Sequence, residues 1–421
     1  MRAPFFTEPS LRARSLALVV VACLGLVAGA AATQAASAPQ SGEQPAVREA
    51  LGGPTQYWFA PQPPRGPQVG AQDFMSLFDR RAKWAKSSQR LDTFKLYQFW
   101  VQGATDQQLS VIIKELKRRG LRIALETPPL SSAEGCGQGV EGFDPNPITA
   151  TRDTVQRLKL LGGTVSVIAF SEPLSFATNV YTGPNACNWS VDQVADRVAA
   201  YLTGVLAVHP GLTYGDIESD HADVGLVEQF LAAMRARGKP MSFLHWDVDW
   251  ETEVHWVEDS AHMAQRARAH GARFGMLYYG RPSDPTSASW LNSARQHAAM
   301  FETLTNVRPD DVLFQSFHAL PLYTLPEANA AAMTNLVLRY FLRRTSITLN
   351  PLQADGASLP VSGALRRTPG GILPNRPVQV VARALDGPGF VHEFRIDSVV
   401  PANASEALIG IRVNTECSCA G

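Results

Sequence analysis

Residues 105–126 read TDQQLSVIIKELKRRGLRIALE, and this stretch decides the fold. Thr105 and Gln108 have the spacing of a capping box, in which a hydroxyl and an amide satisfy reciprocal orphan N–H groups at a helix start. Leu109, Ile112, Ile113 and Leu116 then recur on one helical face. Gly120 closes the helix, since a C-terminal left-handed turn favours a residue without Cβ. LRIALE follows as a strand and ends on an acid, Glu126.

Outward from this unit the pattern repeats. Apolar, β-branched or aromatic runs occur at 56–61 (QYWFAP), 94–100 (FKLYQFW), 121–126, 164–172 (TVSVIAFSE), 212–218 (LTYGDIE), 241–249 (MSFLHWDVD), 273–279 (RFGMLYY) and 311–317 (DVLFQSF). Helical patterns separate them. Ser190 with Gln193 repeats the capping box, and Gly162, Gly238 and Gly271 stand just before strands. Strands alternating with helices pair in parallel through right-handed crossovers, and eight such units over residues 53–344 predict an α/β fold of the (β/α)8 TIM barrel type. An open doubly wound sheet would carry a glycine-rich phosphate turn after its first strand, and QYWFAPQPP has none. Past Arg344 the helical period stops, so residues 345–421 are expected to form a connector and a small antiparallel β module.

The N-terminus places Arg2, Arg12 and Arg14 before an apolar run and the small-residue stretch AATQAASA, the order of regions in a secretory signal peptide. We expect a signal over residues 1–35, a linker over 36–52, and an exported chain, periplasmic or secreted, with an uncleaved anchor or a lipoprotein as alternatives. No second run is long and apolar enough to span, so no membrane contact is expected after cleavage. Basic and acidic residues balance at 38 each, which argues against a nucleic-acid reader, since that function needs a cationic face. Beyond Cys23 four cysteines remain, an even number that favours disulfides in an exported chain. Cys136 and Cys187 sit in the long loops after the third and fourth runs and are expected to pair. Cys417 and Cys419 would then form a tight ring or two free thiols.

Barrel interiors are packed, so chemistry belongs to the C-terminal ends of the strands. Glu126, Glu172, Glu218 with Asp220, and His245 with Asp247 and Asp249 end four of the runs. Side chains two apart share a side of a strand. Asp216, Glu218 and Asp220 therefore form one row, expected to face the mouth with Ile217 turned outward, and His245, Asp247 and Asp249 form another. Trp58, Trp100 and Tyr279 supply rings on which sugar faces stack, and Gln315, His245 and Asp249 supply polar contacts to a carbohydrate.

The fourth run ends Ser171-Glu172-Pro173, and here the chain resembles the large clan of (β/α)8 glycoside hydrolases whose acid/base glutamate follows strand four within Asn-Glu-Pro. The resemblance implies that Glu172 protonates the leaving glycosidic oxygen. Ser171 stands where the clan has its asparagine, and RFGMLYYG carries no glutamate where the clan has its nucleophile. Glycoside hydrolysis needs one protonated and one ionised carboxyl, so the partner is sought among Glu218, Asp247 and Glu126. The expected function is an exported, monomeric, cofactor-free glycoside hydrolase. One alternative is a metal-dependent barrel enzyme using Glu218, Asp220, His221, His245, Asp247, Asp249 and His318, although no compact ligand motif occurs. A barrel that binds glycan without turnover is the other.

Overall fold

The computed structural model describes residues 54–342, except 134 and 306, and five strands between residues 345 and 414. Eight strands, one overlapping each predicted run, close into a parallel barrel: β1 (Gln56–Ala60), β2 (Thr93–Tyr97), β3 (Arg122–Thr127), β4 (Val165–Ser171), β5 (Thr213–Ser219), β6 (Phe243–Asp247), β7 (Arg273–Tyr278) and β8 (Asp311–Gln315). Each pairs with its neighbour in sequence, and β8 closes on β1 with Trp58 opposite Leu313.

Six long helices join successive strands from β2 to β8, α1 (Asp106–Arg119), α2 (Pro147–Leu160), α3 (Val191–Leu206), α4 (Val224–Ala236), α5 (Trp256–Ala269) and α6 (Ser287–Leu304), and α7 (Met333–Leu342) follows β8. The capping boxes predicted for α1 and α3 both form, and Gly120 closes α1 at φ +73°. The first crossover differs from the rest. Between β1 and β2 lie only a 3-10 turn (Phe74–Phe78) and a four-residue helix (Ala85–Ser88), and the rings of Phe74, Phe78 and Trp84 cover Phe59 and Phe94 in place of a long helix.

The floor of the barrel is packed by side chains of alternate residues. His245 stacks on Phe243 at 4.3 Å, meets Trp58 edge-on at 4.7 Å, and places Nε2 3.2 Å from Asp311 Oδ2, while Arg273 donates to Asp311 Oδ1. Gly275 makes room for that imidazole, because a Cβ there would lie 2.4 Å from His245 Cδ2. Burial holds His245 below its ordinary pKa, with Asp311 acting in the opposite sense.

The C-terminal strands belong to a separate compact unit and are antiparallel throughout, as expected. β9 (Thr345–Leu349), β10 (Ser358–Arg367) and β13 (Ala407–Asn414) form a sheet in the order β9-β10-β13, and β11 (Val378–Arg383) pairs with β12 (Val391–Ile396). The expected signal, the linker, Cys417 and Cys419 lie outside the described residues. Among the described residues no helix is long and apolar enough to cross a membrane.

Candidate active site

A cavity of about 600 Å³ opens at the C-terminal ends of the barrel strands. Seven carboxyl side chains line it: Glu126, Glu141, Asp144, Glu172, Asp220, Asp247 and Asp249. Tyr97, Phe99, Phe143, Phe176, Tyr279 and Phe317 supply rings around them.

Glu172 follows β4 directly and holds a left-handed backbone, φ 48° and ψ 48°. That conformation costs a side-chain-bearing residue on the order of 1 kcal/mol, so its surroundings must hold it there. Its N–H donates to Ile217 O at 3.0 Å. Pro173 then opens a short helix (Pro173–Ala177), where a missing N–H costs nothing. Burial holds the Glu172 carboxyl well above the usual carboxylate range, and the negative charges of Asp247, Glu141, Glu218 and Glu126 add to the effect.

Glu126, at the end of β3, is an ion pair with Lys95 of β2, whose side chain is fully buried. Lys95 Nζ also donates to Gln315 Oε1 at 2.6 Å, which ties the ends of β2, β3 and β8 together under the cavity. Above this pair, Ser171 Oγ donates to Glu141 Oε1 at 3.0 Å and lies 3.5 Å from Glu126 Oε1. Burial and the Glu126 charge raise the Glu141 carboxyl. Burial pushes Asp247, at the end of β6, up to about 7, with the Tyr279 hydroxyl working against the shift and Asp220 adding to it. That hydroxyl donates to Val248 O. Asp249 accepts from Thr252 Oγ1 at 2.6 Å, and its own N–H donates to Asp220 Oδ2 at 3.1 Å.

Of the ten residues assigned to the hydrolase site by sequence, Glu126, Glu172, Asp247, Asp249, Tyr279 and Gln315 meet around this cavity and four do not; Asp220, His221 and His318 also line it, and Asp216 does not. Glu218 lies on the other side of β5. There the inward row is Gly215, Ile217 and Ser219: a Cβ on Gly215 would strike the Phe243 ring, and Ile217 and Ser219 line the cavity. The parity expected for β5 is therefore reversed, because the bare backbone of Gly215 leaves the interior to Phe243. Glu218 instead accepts from the N–H groups of Leu174 (2.6 Å) and Ser175 (3.0 Å) and from Ser175 Oγ (2.6 Å). Trp58 and His245 are buried in the floor, where they pack against each other rather than against the cavity. Trp100 packs on Phe74 at 5.0 Å and supplies no cavity wall.

Two further groups escaped the strand-end search. Glu141 belongs to the loop between β3 and α2, whose spacing carries no strand signal, and reaches the site because Gly142 lets that loop approach the end of β4: a Cβ there would lie 2.7 Å from Ser171 O. Lys95 had a readable signal, being the charged residue within the apolar run FKLYQFW.

The predicted disulfide between Cys136 and Cys187 is present, with Cα atoms 5.3 Å apart. Gly137 N–H donates to Asn185 O and Asn185 Nδ2 donates to Gln138 O, both at 2.8 Å, so the two rim loops are also stitched by hydrogen bonds. Among the described residues no group of three or more His, Cys, Asp or Glu side chains is arranged to hold a metal ion. Of the ligands the metal alternative would use, Glu218 is spent on backbone amides and His245 lies in the floor against Asp311.

The chain is a (β/α)8 barrel, and its architecture is similar to that of solved glycoside hydrolases. A modular endo-β-1,4-mannanase from Cellulomonas fimi aligns with a TM-score of 0.43 and 11% identity over 86% of this chain and 94% of its own. Xylanase 10B from Thermotoga maritima aligns with a TM-score of 0.42 and 10% identity over 64% of this chain and 85% of its own. An endo-β1,6-glucanase aligns with a TM-score of 0.46 and 8% identity over 82% and 88%. These are likenesses of fold alone, and the closed barrel rests on its own strand pairing. No family model matches this chain, and no curated protein matches it by sequence.

Proposed function

We propose that this protein hydrolyses a glycosidic bond in an oligosaccharide or polysaccharide, with Glu172 as the general acid. The observation that carries the reading is the contrast between two carboxyls facing one cavity. Among the described residues Glu172 has no cationic partner, and burial and neighbouring carboxylates raise its carboxyl well above the usual range, whereas Glu126 is an ion pair with Lys95. One protonated and one ionised carboxyl are what protonation of a leaving oxygen and attack at the anomeric carbon require. Glu126 is accordingly assigned as the base or nucleophile, and Asp247 stands second in that role. Phe99, Phe176 and Phe317 offer apolar faces to sugar rings. The disulfide fits an oxidising compartment, which supports export.

Replacing Glu172 by Gln removes the proton donor and nothing of similar volume. Turnover of glycans, read as release of reducing ends, is expected to fall by ~10² or more. Wild-type activity should decline on the alkaline side as Glu172 loses its proton, at a pH well above the usual carboxylate range. Turnover near the wild-type rate in Glu172→Gln would refute the assignment. Glycan binding by the wild type with no bond cleavage would favour a binding barrel instead.

A further inference from the structure

Glu218 sits behind the cavity wall, and its bonds all converge on the segment that carries Glu172. Leu174 and Ser175, whose N–H groups it accepts, are the second and third residues after Glu172. Ile217, the residue before Glu218, accepts the N–H of Glu172 itself at 3.0 Å. Two adjacent residues of β5 thus grip the 172–175 segment on both sides of the left-handed Glu172 backbone. Ser175 Oγ donates to Glu218 Oε2 at 2.6 Å and accepts from Ser219 Oγ at 3.0 Å, and His221 Nδ1 lies 3.1 Å from Ser219 Oγ. The network therefore runs from the grip to two residues of the cavity wall, Ser219 and His221. Glu218 is fully buried, both its oxygens are occupied by this segment, and it does not line the cavity. Two N–H groups and a hydroxyl point at one spot, and an ionised carboxyl, the form Glu218 takes above about pH 7, accepts from all three without offering a donor of its own.

We propose that Glu218 is the positioning residue of the acid: it holds residues 172–175 so that the Glu172 side chain is delivered into the cavity, and it takes no part in bond cleavage. The inference rests on Glu172 being the general acid. It accounts for a buried acid, Glu218, on the side of β5 away from the cavity, and it assigns Ser175 as the second member of the device.

The test compares Glu218→Gln, Glu218→Asp and Glu172→Gln. The Gln variant opposes an amide donor to backbone donors, and the Asp variant keeps the charge but falls one methylene short. Both are expected to lower kcat by roughly 10- to 100-fold with KM unchanged, the scale of a misplaced catalytic group. The Gln variant alone should also move the alkaline limb of the pH profile to lower pH, since above about pH 7 it removes one negative charge near Glu172 and leaves Asp247, Glu141 and Glu126. Carbon-13 NMR titration of the Glu172 carboxyl, which needs no substrate, should show the same downward shift in Glu218→Gln and none in Glu218→Asp. A purely structural role would lower the melting temperature and leave kcat of the folded variants as in the wild type. That outcome in the folded variants, with Glu172→Gln inactive, overturns this inference alone, whereas an active Glu172→Gln overturns the assignment of the acid beneath it. Should Glu218→Gln fail to fold, Glu218→Asp with an unchanged kcat still refutes the proposal.

Discussion

Lys95 is an ammonium at 1% exposure inside a strand of apolar residues, and it is tolerable there only because Glu126 and Gln315 occupy its donors. Desolvating both charges is expensive, so the pair contributes little net stability, yet breaking it leaves a lone buried charge. Lys95→Met is therefore expected to destabilise the barrel by about 3–5 kcal/mol in urea unfolding at neutral pH, and the double variant with Glu126→Gln to recover a large part of that loss. A Lys95→Met protein as stable as the wild type would show that Glu126 finds water or another partner. At this scale the strand-end acids Glu126, Glu172 and Asp247 were legible, because each ends a strand whose length its own run of residues sets. Glu141 was not, since only the approach of Gly142 to Ser171 brings its loop to the site.

At the scale of elements, the loop after β3 and the loop after β4 carry the cavity rim, and one covalent bond joins them across 51 residues. Loop closure of that length corresponds to about 4 kcal/mol, an upper figure where the joined loops remain anchored to folded strands. Replacing both Cys136 and Cys187 by Ser is expected to lower the melting temperature in calorimetry and to expose residues 127–147 to proteolysis. If neither changes, the hydrogen bonds of Asn185 suffice to hold the rim. Helix starts were readable because a capping box is a local contact between residues three apart, and Thr105 and Ser190 form theirs as expected. The parity of β5 was not. Alternation states that Asp216 and Glu218 face one way and Ile217 the other, but which side is interior depends on Phe243 of the next strand filling the space above Gly215.

Across the whole molecule, buried carboxyls make stability depend on pH in an unusual sense. The folded chain holds protons on Glu172 and Asp216 well above the ordinary range, mainly through burial, and on Glu218 and Asp247 up to about 7. In the unfolded chain carboxyls release their protons near 4 and imidazoles near 6.5. Between about pH 6.5 and 8 the unfolded histidines are already neutral, so the folded state binds more protons than the unfolded one and stability falls as pH rises. Below that window His297, pushed down to about 3 by burial, and His245 act in the opposite sense, since the unfolded chain takes up protons that they refuse. Neither carboxyl oxygen of Asp216 has a hydrogen-bond partner among the described residues. Asp216→Asn removes one of the retained protons at nearly constant volume, so its urea midpoint should rise relative to the wild type as pH goes from 6 to 8. A constant difference between the two proteins across that range would show that folded Asp216 is ionised throughout it and retains no proton.

The number of strands, their parallel order and the helix boundaries were determined locally, by periodicity, caps and glycines whose energetics involve residues a few positions apart. So was the set of acids at strand ends. Tertiary structure alone decided which of those acids share a cavity, because burial, the Lys95 partner and the grip of Glu218 on residues 172–175 arise between strands far apart in the chain. A carboxyl's charge state follows from the dielectric and the neighbours around it, and neither exists until the barrel has closed.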